Sequence, residues 1–300
     1  MENLKFSNPV FGKFQNACYA NAVTQVLSVV PIISDYYKTK RFQETDNEYP
    51  VSEELSRLLS HHGHMMSTSQ LREAVGKVSK KGYFFDGTQQ DASEFLMELI
   101  CTLNKETSSS MNQGFLDRIV KGKLTYHRGF LETQNGSCNS CGSFVNPQDE
   151  IFHILALPAR SASSPSVQSL LDGNFEEIEM RCPNSSCLDS SNKRAGQSKV
   201  VVELPRVLFI SIGKEFQLLR KAYPIEENIN FQGVTFQLVG LVDHQGRTSK
   251  SGHYIAWKKV NSNWYKCDDS VITEVNLDVI PSNNNYMFVY LRNQPNFITS

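Results

Sequence analysis

Residues 14–31 read FQNACYANAVTQVLSVVP, and Tyr19, Ala22, Val23, Val26, Leu27 and Val30 recur in them at helical spacing. With Asn16 as N-cap and Pro31 as the stop, the stretch predicts an amphipathic helix that opens at Cys18. In a first helical turn a thiolate meets the positive end of the macrodipole and backbone amides without intrahelical partners. The same position equally suits a small, buried core residue. Periodicity alone leaves both open for Cys18.

Outward from this helix, the first 110 residues keep a helical pattern. DASEFLMELICTLN, from Asp91, carries an apolar stripe of Ala92, Phe95, Leu96, Leu99, Ile100 and Leu103, with Asp91, Glu94 and Glu98 in a row on the polar side. That row suits either a solvated face or a basic ligand. After the SSSMNQG break, the segments KLTYH, IFHILAL, KVVVEL, RVLFISI, VTFQLVGLV, HYIAWKK, NWYKCD and YMFVYL are rich in β-branched and aromatic residues and predict strands. Helices followed by strands give an α+β class. SASSPS and LDSSNKRAGQS predict loops.

Of 300 residues, 40% are apolar and 20% charged, the balance of an ordinary folded chain, and one elaborate domain accommodates that length. Thirty basic against thirty-one acidic side chains give a net charge of -1, which argues against nucleic acid or an anionic membrane as partner. MENLKFSNPVFGKF has no apolar signal region, and no stretch approaches the roughly 20 apolar residues that span a bilayer. Seven cysteines, an odd number, suit reduced thiols and metal, hence a cytoplasmic or nuclear location.

SGHYIAWKKVNSNWYKCDDS, residues 251–270, predicts a hairpin turning at Asn261 and Ser262. Counting outward puts His253 opposite Ser270, with Asp268 a diagonal neighbour on the same face; a three-residue loop would exchange Asp268 for Asp269. A carboxylate beside an imidazole is the second half of a nucleophile triad, and it is also an ordinary cross-strand pair.

Cys138 and Cys141 form C-x-x-C, and Cys182 and Cys187 form C-x4-C; four thiolates in two knuckles suit structural zinc. The histidines of HHGH, residues 61–64, read as an exposed loop, and Cys101 and Cys267 as packing or surface thiols.

Three blocks, NACYANAVTQVL, QQDASEFLMEL, and SGHYIAWKK with WYKCDDSVIT, resemble in order and spacing the catalytic domain of the ubiquitin-specific proteases, papain-like deubiquitinases. The resemblance runs from about Phe11 to Leu291. It implies a single catalytic domain over 1–300: a helical thumb at 1–115, a β palm at 116–136 and 200–300, and zinc-ribbon-like fingers at 137–199. It implies Cys18 as nucleophile, His253 as general base, Asp268 as the residue that orients the base and Asp269 as an assisting acid. Gln90, Asp91, Glu94, His244, Gly252 and Tyr254 become candidate contacts of the ubiquitin tail, His244 from a loop, and the four paired cysteines candidate ligands of zinc. No cofactor is implied for catalysis. The implied partners are ubiquitin and ubiquitinated proteins.

At the family's oxyanion-donor position, five residues before the nucleophile, this chain carries Lys13, and Asn16 stands two before it. Loss of such a donor costs roughly 100- to 1000-fold in turnover. Lys13, Asn16 or backbone amides near Cys18 are the candidate substitutes, or an activating partner reshapes the loop. Beside an active deubiquitinase stand two further readings, a ubiquitin-binding scaffold with weak or no catalysis and a protease for another ubiquitin-like modifier.

Overall fold

The computed structural model describes residues 10–11, 16–40, 49–60, 65–110, 112–130, 141, 148–158, 166–175, 178–180, 187, 195–213, 223–248, 251–281 and 285–293. Its first part is helical: α1 (Cys18–Leu27), α2 (Pro31–Thr39), α3 (Pro50–Ser60), α4 (Ser69–Ser79), α5 (Ala92–Thr107) and a single turn, α6 (Asp117–Val120). Among these, β1 (Val10–Phe11) and β2 (Met65–Met66) form a short parallel pair. Pro31 closes one helix and opens the next: it takes the first turn of α2, while Val30 before it is extended at ψ 98°.

An eight-stranded sheet follows, ordered β13 (Val271–Val275), β12 (Asn263–Asp268), β11 (Ser251–Val260), β10 (Val234–Thr248), β14 (Asn285–Arg292), β8 (Val207–Ile212) and β5 (Ile154–Leu157), with β9 (Asn228–Phe231) also paired to β10. All its pairings are antiparallel except β5 with β8. Both faces are covered, which is why β8 is buried at every residue. Val207 and Phe209 pack with the helices, whereas Leu208, Ile210 and Ile212 face a second core completed by α7 (Val167–Phe175). The smaller, four-stranded sheet runs β4 (Gln148–Phe152), β3 (Gly122–Phe130), β7 (Ala195–Glu203), β6 (Ile178–Met180).

Three expectations need correction. The stretch at 14–31 forms the expected helix from Cys18, but without a solvated face: all ten residues of α1 are buried, including Asn21, Thr24 and Gln25, because α1 lies between α5 and the large sheet. Gly240 of β10 allows that approach, since a Cβ there would press on Val26 at 3.3 Å. Polar members of α1 are satisfied internally: Thr24 Oγ1 donates to the Ala20 carbonyl, and the buried Lys258 Nζ donates to Gln25 Oε1 at 2.6 Å. Secondly, IFHILAL is two strands, broken at His153, whose Nε2 lies 2.7 Å from Asp117 Oδ1; β4 belongs to the small sheet and β5 to the large one. Thirdly, the last four residues of the expected loop LDSSNKRAGQS are the start of β7. The histidines of HHGH lie outside the described residues.

Candidate active site

Cys18 is the first residue of α1 and is almost wholly buried. Asn16 does not cap the helix. It adopts a left-handed φ of 55°, and its Nδ2 donates to the Gly87 carbonyl at 2.9 Å, while the capping position falls to Ala17 with no side-chain cap. Burial of the whole helix holds its N-terminus against the β11–β12 hairpin.

That hairpin has the expected two-residue turn. Val260 pairs with Asn263 and Ala256 with Cys267, and Asn261 takes the left-handed conformation at φ 57°. The register therefore sets Asp268 on the face of His253, and His253 Nε2 lies 2.6 Å from Asp268 Oδ1. The hydrogen bond with Cys18 is the largest influence on the imidazole; together with Asp268 and the charges of Cys18 and Asp269 it outweighs burial and raises the His253 pKa to about 9. With Nε2 committed to Asp268, Nδ1 is the ring nitrogen left for Cys18. Burial opposes ionisation of Asp268, but hydrogen bonds to His253 and Lys266 hold its carboxyl below the ordinary value.

Asp269 turns the opposite way, at φ 50°, and is buried. Its Oδ1 accepts from Asn21 Nδ2 at 2.8 Å. Among the described residues, His253, Asp268 and Asp269 are the one group whose donor atoms could gather on a cation, lying within 4.8 Å of one another. All three are already engaged, by Cys18, Lys266 and Asn21.

The acidic row on α5 is neither a solvated face nor one unit. Asp91 is buried as the N-cap, its Oδ1 accepting from the Glu94 amide at 3.0 Å and from Tyr286 Oη at 2.6 Å. Its Oδ2 is buried without a partner among the described residues. Glu94 instead accepts from Tyr83 Oη and, with Glu98, flanks Lys81. Gln90 donates to the Tyr83 carbonyl.

His244 sits within β10, not in a loop as its polar surroundings suggested, because β10 continues to Thr248 and pairs with β11 as far as Ser251. It pairs in register with Tyr254, its ring 4.4 Å from the tyrosine ring. Burial lowers its pKa, and His244 Nδ1 has no partner among the described residues. Gly252 is held to glycine by this packing, since a Cβ would collide with His244 Nε2.

Lys13, Cys138 and Cys182 lie outside the described residues; Cys141 and Cys187 are each partly buried. Their place in the topology fits a shared metal. β3 ends where Phe130 pairs with Ala195, and β6 ends where Met180 pairs with the same Ala195. The β3–β4 connection carries Cys138 and Cys141, and the β6–β7 connection carries Cys182 and Cys187. Both knuckles therefore leave one end of one sheet.

Two residues of the site escaped sequence reasoning. Gln89 exchanges two hydrogen bonds with the Gly252 backbone, and Asn21 holds Asp269. Asn21 carried a signal, a polar residue one turn beyond Cys18 inside an apolar run.

The helices against one face of a mixed sheet, with the cysteine-bearing helix end meeting a histidine hairpin, form an α+β, papain-like fold of the ubiquitin-specific protease type. Residues 12–290 match the family model described as ubiquitin carboxyl-terminal hydrolase, and the chain belongs to that family. It is 25% identical over 306 residues to ubiquitin carboxyl-terminal hydrolase 17-like protein D of Mus musculus, with 92% of this chain and 53% of the relative covered. The chain thus spans about half the length of that relative. Among solved structures it resembles a chain of the SAGA Ubp8/Sgf11/Sus1/Sgf73 DUB module bound to ubiquitin aldehyde, at TM-score 0.74 and 17% identity, covering 97% of this chain and 71% of that one. The same kind of module bound to monoubiquitin matches at TM-score 0.76 and 17% identity, covering 97% and 70%.

Proposed function

We propose that this chain is a thiol-dependent deubiquitinase that hydrolyses the isopeptide or peptide bond at the C-terminal glycine of ubiquitin. One observation carries the reading: Cys18, His253 and Asp268, far apart in sequence, share a hydrogen-bonded line at a helix N-terminus. Family membership supplies the substrate class.

In this mechanism Cys18 Sγ attacks the glycine carbonyl, and the imidazolium of His253 gives its proton to the departing lysine amine as the C–N bond breaks. Water then loses a proton to His253 and attacks the thioester; as the C–S bond breaks, the ubiquitin carboxyl group is released, Cys18 leaves as thiolate, and His253 keeps the proton, which restores the starting pair. Asp268 keeps the ring oriented and its charge compensated throughout. The oxyanion falls to backbone N–H groups at the uncapped start of α1 and to Lys13, since the Asn16 amide already donates to Gly87. A partner protein that reorders the residues around Lys13 would tune this step.

The ubiquitin tail would run beside Gly252, His244 and Tyr254 towards Asp91, whose unpartnered buried Oδ2 suits an arginine. Gln90 and Glu94 would contribute from the edge of that path. The helical part would form the thumb, the eight-stranded sheet the palm, and the four-stranded sheet the fingers. Cys138, Cys141, Cys182 and Cys187 would hold a structural zinc that fixes the ends of the finger strands and takes no part in hydrolysis. Cysteine usage favours a cytosolic or nuclear setting.

The test is a ubiquitin with a thiol-reactive group at its C-terminus. Native protein should form a covalent adduct and Cys18→Ala none; ubiquitin binding without adduct or turnover would reduce the chain to a scaffold, and reaction solely with another modifier's probe would change the substrate.

A further inference from the structure

Behind the catalytic candidates lies a second hydrogen-bonded line. Thr68 is the N-cap of α4, yet its side chain makes no cap bond. Its Oγ1 donates instead to Asn21 Oδ1 at 2.8 Å, and Asn21 Nδ2 donates to Asp269 Oδ1 at 2.8 Å. Thr68 is 1% exposed, Asn21 2% and Asp269 8%, so the line is dry from end to end. Forgoing the cap weakens the start of α4, which makes the diversion of this hydroxyl informative.

The amide orientation follows from its partners. An ionised carboxylate accepts and cannot donate, so the Asn21 nitrogen must face Asp269, and the Thr68 hydroxyl must then donate to the oxygen. Two carboxylates crowd one imidazole here. Without a donor, repulsion between the two carboxyl groups would favour turning Asp269 away from His253. A neutral amide holds it in place without adding a cation that would compete with His253. Asp268, by contrast, is 32% exposed and shared with Lys266.

Resting on the hydrolase reading above, we propose that Thr68 and Asn21 are positioning residues: Thr68 fixes the Asn21 amide, and Asn21 holds the Asp269 carboxyl group beside His253. The helix that begins with Cys18 thereby also carries the support of the second carboxylate, and α4 is tied to both. Groups facing His253 are Cys18 from α1, Asp268 and Asp269 from the end of β12, and Asp243 and His244 from β10, with Lys266 acting through Asp268. Of these, the relay touches Asp269 alone.

The experiment uses the whole chain with labelled histidine, following the His253 titration by NMR alongside turnover of a fluorogenic ubiquitin substrate. Asn21→Ala should lower the His253 midpoint by about half a unit or more. It should lower kcat roughly 10- to 100-fold, with KM changed less than about twofold. Thr68→Val, which removes no cap bond, should give smaller shifts of the same sign, and Thr68→Ser should restore both. Asn21→Ala should add nothing further to Asp269→Asn. An unmoved His253 midpoint in Asn21→Ala and Thr68→Val overturns the relay, as does a kcat loss that only follows the fraction of unfolded protein. The midpoint reports on the relay without needing hydrolysis: a shift in a protein with no turnover sinks the hydrolase reading and leaves the relay, whereas turnover without a shift sinks the relay alone.

Discussion

Gln89 and Gly252 hold the approach to α5 against the histidine strand: Gln89 Nε2 donates to the Gly252 carbonyl at 3.1 Å, and the Gly252 N–H donates to Gln89 Oε1 at 3.0 Å. A side-chain amide thus does for Gly252 what a neighbouring strand does elsewhere in β11, immediately before His253. Gln89→Ala removes both bonds at a half-buried position where water can replace them, so stability should change by less than about 1 kcal/mol. Misplacement of the imidazole should nevertheless lower kcat/KM roughly tenfold. Steady-state hydrolysis of a fluorogenic ubiquitin substrate, read beside a thermal melt, checks this; equal losses in both would mark the pair as merely structural.

The raised His253 pKa sets the pH range of activity. A histidine whose folded pKa is lifted towards about 9 keeps its stabilising interactions below its ordinary value near 6.5 and loses them as pH rises through about 9. The imidazolium should therefore persist through neutrality, with kcat/KM falling on an alkaline limb near pH 9. Asp268→Asn should move that limb to lower pH by removing a charge that favours the imidazolium. A limb at 6.5 in the native protein would contradict the Cys18–His253 coupling.

The hairpin at 251–270 was legible because strand geometry has a strict period of two and the turn at Asn261–Ser262 fixes its register. Cys18 was legible because helix onset is a local signal. What surrounds α1 was not: Asn21 and Gln25 look solvent-facing on a helical wheel, and it takes partners distant in sequence, Thr68, Lys258 and Asp269 among them, to bury them. His244 was misplaced for a related reason. DHQGRTSKSG has the polarity of a loop, yet ladder bonds to β11 hold its first six residues, as far as Thr248, in β10. The row of Asp91, Glu94 and Glu98 was visible as a spacing, but not that Tyr286 and Tyr83, from distant segments, would give two of its members separate tasks.

Asp243 should weaken the fold at neutral pH. It is fully buried, its Oδ1 has no partner among the described residues, and burial, opposed by Gln245, Lys266 and His253, raises its pKa to about 6. A carboxyl whose folded pKa lies above its unfolded value is best accommodated below about pH 4, and this contribution is lost as pH rises through about 6. Asp243→Asn keeps shape and removes the charge, so above pH 7 it should stabilise the chain on the order of 2 kcal/mol, with the gain vanishing near pH 4. Chemical denaturation of both proteins at pH 4 and pH 7.5 checks this; a gain independent of pH would assign the effect to packing.

The cysteine knuckles yield the remaining prediction. Phe130 and Met180, the last residues of β3 and β6, both pair with Ala195, so the connections bearing Cys138–Cys141 and Cys182–Cys187 start side by side. A metal joining them would close one end of a four-stranded sheet that, nearer its other end, leaves Ile151, Val200 and Val202 exposed. Elemental analysis of protein purified without chelators should find one zinc per chain. Cys141→Ser or Cys187→Ser should abolish it and lower the melting midpoint by about 5 °C or more, since a ligand bound only by the folded state adds its binding free energy to stability. Because the knuckles lie on the small sheet and Cys18 on a helix packed against the large one, the rate of Cys18 labelling by a small thiol reagent should be unchanged in these variants. A zinc-free native protein with an unaltered melt in the variants would leave the four cysteines as ordinary thiols.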